Sequence, residues 1–87
     1  MKVTFSKEAI EDYHYWINNN LSTYKKIKRL LDDIMRNGYS GIGHPKALTG
    51  DLSSWWSRRI DETNRLVYRI NDDMIEIKGC KGHYDDK

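Results

Sequence analysis

The residues of this chain best suited to chemistry lie in three short segments of its second half. Trp56-Ser57-Arg58-Arg59-Ile60 and Asn64-Arg65-Leu66-Val67-Tyr68 are typical of neighbouring strands, and His83-Tyr84 follows near the end of the sequence. Arginine binds phosphate through paired N–H donors, and histidine exchanges a proton near neutral pH. Together with tyrosine, these residue types predict a small site that holds a phosphodiester and cuts RNA without a metal ion.

Strand alternation divides the arginines between the two faces of the predicted sheet. Arg65 and Arg69 share one face of their strand. The residues that alternate with them, Leu66, Tyr68 and Ile70, share the other face, which is expected to pack in the core. Either Arg58 or Arg59 accompanies Arg65, because the register of the hairpin is not visible in the sequence. The plainer interpretation is that each arginine is solvated or paired with a carboxylate of the Asp61-Glu62 turn.

The histidines and tryptophans leave alternatives open. His83 suits a general acid that protonates a leaving 5′ oxygen, although an ordinary surface histidine is the common fate of such a residue. His44 lies in a glycine-rich stretch and is undecided between structure and function. Of the adjacent Trp55 and Trp56, one should pack inward, and the other should face outward, where it can stack on a base or contact a partner.

Metal and nucleotide motifs are missing from the sequence. No group of Asp, His and Cys has metal-ligand spacing, so no metal site and no cofactor are expected. Gly41-Ile42-Gly43 is too weak a signal for a phosphate-binding loop.

Composition predicts one soluble cytoplasmic domain spanning residues 1–87. The net charge is +2 although 32% of residues are charged, so the total charge alone does not indicate nonspecific nucleic-acid binding. The lone Cys80 excludes an intramolecular disulfide, and no segment resembles a signal peptide or a membrane span.

Two helices are predicted after a short strand over residues 2–5. Ser6 is the expected N-cap of a first helix over residues 7–18, whose apolar stripe holds Ile10, Tyr13, Trp16 and Ile17. Ser22 is the expected N-cap of a second helix, which ends at Asn37-Gly38.

The rest of the chain is predicted to be an irregular stretch followed by strands. The irregular stretch covers residues 38–51, and strands are expected over residues 55–60, 65–70 and 74–80. This order predicts an α+β fold, with an N-terminal strand and a helical hairpin packed on one face of a small, mostly antiparallel sheet. The other face would be open, and a polymer could lie there.

The sequence resembles the YoeB branch of the RelE superfamily, the toxins of bacterial toxin–antitoxin pairs. The resemblance is carried by Glu11-Asp12-Tyr13-His14-Tyr15-Trp16, Lys25-Lys26-Ile27, Gly41-Ile42-Gly43-His44-Pro45, Leu52-Ser53, Trp56-Ser57-Arg58-Arg59-Ile60, Arg65-Leu66-Val67-Tyr68 and His83-Tyr84. It implies a RelE-like fold and a ribosome-dependent endoribonuclease that cuts mRNA in the decoding site. The implied partners are a YefM-like antitoxin, mRNA and the 70S ribosome, with no membrane and a possible homodimer or toxin–antitoxin hetero-oligomer.

The resemblance also implies roles for particular residues. Arg65 would stabilise the transition state, His83 would act as the general acid, and Tyr84 would orient the substrate or the phosphate. At the positions of two family glutamates, one of them the general base, this chain carries Lys46 and Thr63.

Two outcomes follow from the missing glutamates. Lys46 is expected to act as a catalytic cation that favours the 2′-oxyanion, with His44 as the candidate base. Alternatively, the chain is a catalytically weakened protein that binds an antitoxin or the ribosome. The substrate-binding residues expected around this centre are Arg58, Arg59, His44 and Trp56.

Overall fold

The computed structural model describes residues 1–82 and forms one five-stranded sheet with two helices. The elements are β1 (Lys2–Phe5), α1 (Lys7–Asn19), α2 (Leu21–Asn37), β2 (Lys46–Ala47), β3 (Trp56–Arg59), β4 (Arg65–Asn71) and β5 (Met74–Gly79), with a 3₁₀ turn at Gly50–Leu52. The strand order is β1-β5-β4-β3-β2. Only the β1–β5 pair is parallel, so the predicted α+β fold with a mostly antiparallel sheet is confirmed.

The two helices follow each other with a single residue between them. Ser6 caps α1 as predicted, since its Oγ accepts a hydrogen bond from Ala9 N at 3.0 Å. The prediction of Ser22 as the second cap is wrong: Asn20 Oδ1 accepts from Thr23 N at 3.2 Å, and α2 begins at Leu21. Asn20 has an extended backbone and therefore both ends α1 and starts α2.

The core lies between the helices and one face of the sheet. Its fully buried members include Ile27, Leu30, Ile34, Leu66, Tyr68, Ile75 and Ile77. In α1 the buried residues are Ala9 and Trp16, whereas Ile10 and Ile17 are 38% and 37% exposed. The predicted apolar stripe was therefore wrong at two positions, because α1 turns Ala9 and Trp16 rather than Ile10 and Ile17 towards the core.

The sheet face opposite the helices is less open than the sequence suggested. Ser57, Arg65 and Val67 belong to this face by strand alternation, yet they are only 4%, 6% and 0% exposed. Part of the stretch predicted as irregular forms β2, which pairs antiparallel with β3. His44 and Pro45, which precede β2, border a recess on this face.

Neither helix within residues 1–82 is long and apolar enough to cross a membrane.

Candidate active site

A cavity of about 240 Å³ opens on this face, at the end of the sheet where β2, β3 and β4 meet. Its lining residues are His44, Pro45, Lys46, Ser57, Arg59 and Arg65. The strand register brings them together, since Lys46 pairs with Ser57 and Arg59 pairs with Arg65. Four residues that the sequence nominated, His44, Lys46, Arg59 and Arg65, therefore share one cavity.

The cavity concentrates positive charge. Arg59 and Arg65 lie directly opposite each other on antiparallel strands, an arrangement in which like charges repel. Lys46 adds a third cation, and among residues 1–82 no carboxylate lines the cavity. An anion placed between these side chains would relieve their repulsion, so the site suits a phosphate or phosphodiester.

The turn before β4 positions Arg65. Arg65 Nη1 donates to the carbonyl oxygens of Asp61 (2.6 Å) and Asn64 (3.1 Å). The Asp61 carboxylate closes the turn by accepting from the N–H groups of Thr63 and Asn64, at 2.8 and 2.7 Å. Burial raises the pKa of Asp61, but the hydrogen bonds from Asn64 and Thr63 outweigh it and hold that pKa below its ordinary value. The Asp-x-x-Asn spacing is the sequence signal for this turn.

The chain after β5 is fastened to α1. Asp12 Oδ2 accepts from Cys80 N at 3.0 Å, and Trp16 Nε1 donates to Cys80 O at 2.8 Å. Burial is the largest cause of a raised pKa for the Asp12 carboxyl. Asp12 and Trp16 therefore position the segment that leads towards the cavity, a role that the sequence alone did not indicate.

The last described residue lies beside the cavity arginine. Arg65 N donates to Gly82 O at 2.9 Å, and Gly82 N donates to Asn64 Oδ1 at 2.8 Å. His83 and Tyr84 follow Gly82 in sequence and lie outside the described residues.

Arg58 lies on the opposite face of the sheet from the cavity. It is fully buried, so the prediction that it contacts substrate is wrong. Its hydrogen-bond acceptors are Tyr68 Oη (3.1 Å), the Asp33 carboxylate, Ile42 O (3.1 Å), Gly38 O (2.8 Å) and Ser40 O (2.7 Å). Alternation along β3 directs Arg58 towards the helices, where it fastens residues 38–42, just before the cavity residue His44.

Asp33 of α2 completes this fastening. Its carboxylate accepts from Arg58, from Ile42 N at 3.1 Å and from Asn37 Nδ2 at 2.8 Å. The Arg58 guanidinium is the largest cause of a pKa below the ordinary value for Asp33. Gly41 has φ +121°, and a Cβ there would lie 1.9 Å from Asp33 Oδ2. Glycine is therefore required at position 41 by close packing around an ion pair.

The tryptophans also divide between the faces. Trp56 stacks on Tyr39 on the core side, with ring centroids 4.5 Å apart. Trp56, predicted as a substrate contact, therefore lies on the opposite face of the sheet from the cavity. Trp55 lies on the cavity side of the sheet, where the guanidinium of Arg69 covers its ring.

His44 is exposed and has φ +52°, a left-handed backbone conformation uncommon outside glycine. Thr63 and Glu62 are exposed on the turn, and neither lines the cavity. The buried Ser57 does line it, and only its alternation with Arg59 could have indicated this.

No group of His, Cys, Asp and Glu within the described part of the chain could hold a metal ion.

Comparison with known proteins gives full-length matches. Residues 5–84 match the profile of a family described as the YoeB-like toxin of bacterial type II toxin–antitoxin systems. The toxin YoeB of Streptomyces coelicolor is 45% identical over 84 residues, covering 97% of this chain and all of that protein.

Solved structures agree over the same length. A YoeB/ParE toxin from Agrobacterium tumefaciens is 32% identical, with a TM-score of 0.93 over 97% of this chain and all of that one. The toxin in a heterotetrameric YoeB–YefM complex from Staphylococcus aureus is 46% identical, with a TM-score of 0.90 over 97% of this chain and 98% of that one.

Proposed function

The chain belongs to the YoeB-like toxins of bacterial type II toxin–antitoxin systems, and we propose that it inhibits translation by cutting mRNA on the ribosome. The observation that carries this proposal is the facing pair Arg59 and Arg65, with Lys46 beside them in one cavity. Cations held together in this way lower the energy of a transition state that gathers negative charge on a phosphate. The activity proposed is that of a metal-independent endoribonuclease.

The chemistry is an attack by the 2′-oxygen of the substrate on the adjacent phosphorus. Arg65 and Arg59 neutralise the nonbridging oxygens, and Lys46 stabilises the 2′-oxyanion, with His44 as the candidate acceptor of its proton. The bond from phosphorus to the 5′ oxygen breaks, and His83 supplies the proton that this oxygen takes up, while Tyr84 orients the phosphate. The products are a 2′,3′-cyclic phosphate, or the 3′-phosphate formed from it, and a 5′-hydroxyl.

The connection of His83 to the cavity is supported by its covalent neighbour. Gly82 is hydrogen-bonded to Arg65 and Asn64, and residues 80–82 are fastened through Cys80 to α1. The residue that precedes the proposed general acid is therefore held beside Arg65.

A second candidate function is a toxin homologue with weakened catalysis that binds an antitoxin or the ribosome. The observation favouring it is the cavity lining, which within residues 1–82 includes no carboxylate to take the 2′ proton. Loss of a positioned base lowers a rate by a factor of about 10²–10⁴.

The proposed partners follow from the family. The S. aureus relative was solved with YefM, and we propose that a YefM-like antitoxin binds this chain, in a hetero-oligomer or beside a toxin homodimer. The proposed substrate is mRNA in the decoding site of the 70S ribosome, which places the toxin in the cytoplasm.

Expression of the chain without an antitoxin tests the proposal. We expect growth arrest that is lost in Arg59→Ala, Arg65→Ala and His83→Ala. Arg36→Ala, which removes an exposed arginine at the end of α2, is the matched control and should still arrest growth.

Arg59 is the most informative position, because its exposed side chain can be removed with little effect on folding. Arrest that survives Arg59→Ala and His83→Ala would contradict the nuclease proposal and favour the second candidate.

A further inference from the structure

The cavity lies at one end of a sheet face with strongly unequal charge. Among the described strand residues, alternation and register place six basic side chains and one acidic side chain on this face: Lys2, Lys46, Arg59, Arg65, Arg69 and Lys78, with Glu76. The whole chain has a net charge of only +2. Most acidic residues therefore lie on the helices and turns, and the sheet presents a cationic face that attracts polyanions.

Beyond the cavity, this face carries a cluster built around one aromatic ring. Arg69 Cζ lies 4.3 Å from the centroid of the Trp55 ring, and Lys78 Nζ lies 5.2 Å from it. Attraction between a cation and the ring quadrupole holds both side chains in place. Trp55 therefore orders the side chains of Arg69 and Lys78 in advance. Less conformational entropy is then lost when these side chains bind an anion.

The cluster keeps donors for a ligand although Arg69 is ion-paired. Arg69 Nε donates to Glu76 Oε1 at 2.6 Å, while Nη1 has only a long 3.4 Å hydrogen bond to Ser54 Oγ. The Arg69 side chain is 36% exposed. Its outer nitrogens can therefore contact a phosphate without breaking the pair with Glu76.

We propose that Trp55, Arg69 and Lys78 form a second phosphate-binding site, which holds single-stranded RNA on the sheet beside the cavity. Arg69 lies four residues beyond Arg65 on the same face of β4, a distance of about 13 Å. One strand of RNA running along β4 reaches both places. The assignment of that RNA as the strand being cut rests on the proposed function, whereas binding of RNA by the cluster does not.

RNA is favoured over an acidic protein segment by the shape of the charge distribution. The basic side chains extend from a cavity suited to a phosphodiester to the cluster on the same face. An RNA strand carries one negative charge on each nucleotide, and this regular spacing matches basic side chains arranged along the sheet. An acidic peptide is the competing ligand and is included in the test.

The test uses a fluorescent oligouridylate with 2′-O-methyl groups, roughly 12 nucleotides long to span the face. The methyl groups block attack by the 2′-oxygen, so the binding measured by anisotropy is independent of cleavage. Lys78→Ala should weaken binding at low salt about threefold to tenfold and should make the slope of log K against log salt shallower by about 0.7.

Lys28→Ala is the matched control, because Lys28 also lies over an aromatic ring, 5.4 Å from the Tyr24 centroid, but on α2. It should change neither affinity nor slope. Glu76→Gln should tighten binding severalfold, because it removes the acidic side chain of the cluster.

Three results would overturn the inference. The first is no binding of the RNA probe by the wild-type chain, and the second is an equal effect of Lys78→Ala and Lys28→Ala on RNA affinity. The third is a Lys78→Ala variant that binds the RNA probe as tightly as the wild type but binds an oligoglutamate peptide more weakly. Failure of the nuclease proposal would appear instead as growth arrest insensitive to Arg59→Ala and His83→Ala, and would leave these binding results unaffected.

Discussion

Lys46 stands where the family resemblance places a glutamate, and its side chain lines the cavity beside Arg59 and Arg65. A carboxylate at this position would remove the 2′ proton, whereas an ammonium group lowers the energy of the 2′-oxyanion once it forms. In the proposed mechanism, electrostatic stabilisation by Lys46 therefore takes the place of proton removal by a carboxylate.

Substitutions at Lys46 separate these two modes. We expect Lys46→Ala to lower the single-turnover rate of cleavage of ribosome-bound mRNA about 10–100-fold, and Lys46→Arg to retain most of it. Lys46→Glu should be slower than Lys46→Ala, because it places a negative charge beside the substrate phosphate. A Lys46→Glu rate above that of the wild type would show that the cavity works with a carboxylate base, contrary to the proposed role.

Residue types predicted which residues would share a site, but not which face of the sheet each residue occupies. His44, Lys46, Arg59 and Arg65 were nominated for chemistry and do line one cavity. The orientation of Arg58 depends on the β3–β4 register, which is decided by packing against the helices and not by any local signal.

At the scale of elements, Arg58 and Asp33 connect β3 and α2 through the segment that precedes the cavity. Arg58 is fully buried and donates to three carbonyl groups of residues 38–42. A buried guanidinium that loses its counter-charge is strongly destabilising, so this connection depends on an ionised Asp33. The position of residues 38–42, which lead to the cavity residue His44, should therefore be sensitive to acid.

Acid titration of stability tests this dependence. The pKa of Asp33 is lower in the folded chain than its ordinary value of 3.8, so its stabilising effect is present above that value and is lost as the pH falls through the folded pKa. Urea unfolding should show wild-type stability decreasing below about pH 4, and Asp33→Asn should be less stable at pH 7 but decrease less on acidification.

Asp32→Asn, at the exposed neighbouring position, is the control and should follow the wild type. Parallel decreases for Asp33→Asn and the wild type would show that Asp33 does not link acidity to stability.

Periodicity in the sequence predicted most of the elements but not their short connections. Both helices and the strands β1, β3, β4 and β5 were expected close to their observed bounds. The two-residue β2 is too short to give a pattern and exists because Lys46 and Ala47 pair with β3. The predicted cap of α2 lay two residues too late: both asparagine and serine suit this position, but Asn20 has the extended backbone and the side-chain acceptor that start the helix.

At the scale of the whole molecule, the sheet separates two functions. One face packs against the helices and supplies the core, while the other carries the cavity and the Trp55 cluster. The overall composition concealed this separation, since a net charge of +2 gives no sign of six cations on one face. Strand alternation within the predicted sheet was the signal that could have found it.

The ends of the RNA produced by the purified toxin on mRNA-programmed ribosomes give the most direct test of the nuclease proposal. We expect a 5′-hydroxyl on one fragment and a 2′,3′-cyclic or 3′-phosphate on the other, with no cleavage when the nucleotide at the cut carries a 2′-O-methyl group. Intact mRNA, a 3′-hydroxyl at the cut end of the upstream fragment, or cleavage that persists without the 2′-hydroxyl would contradict attack by the 2′-oxygen in the Arg59–Arg65 cavity.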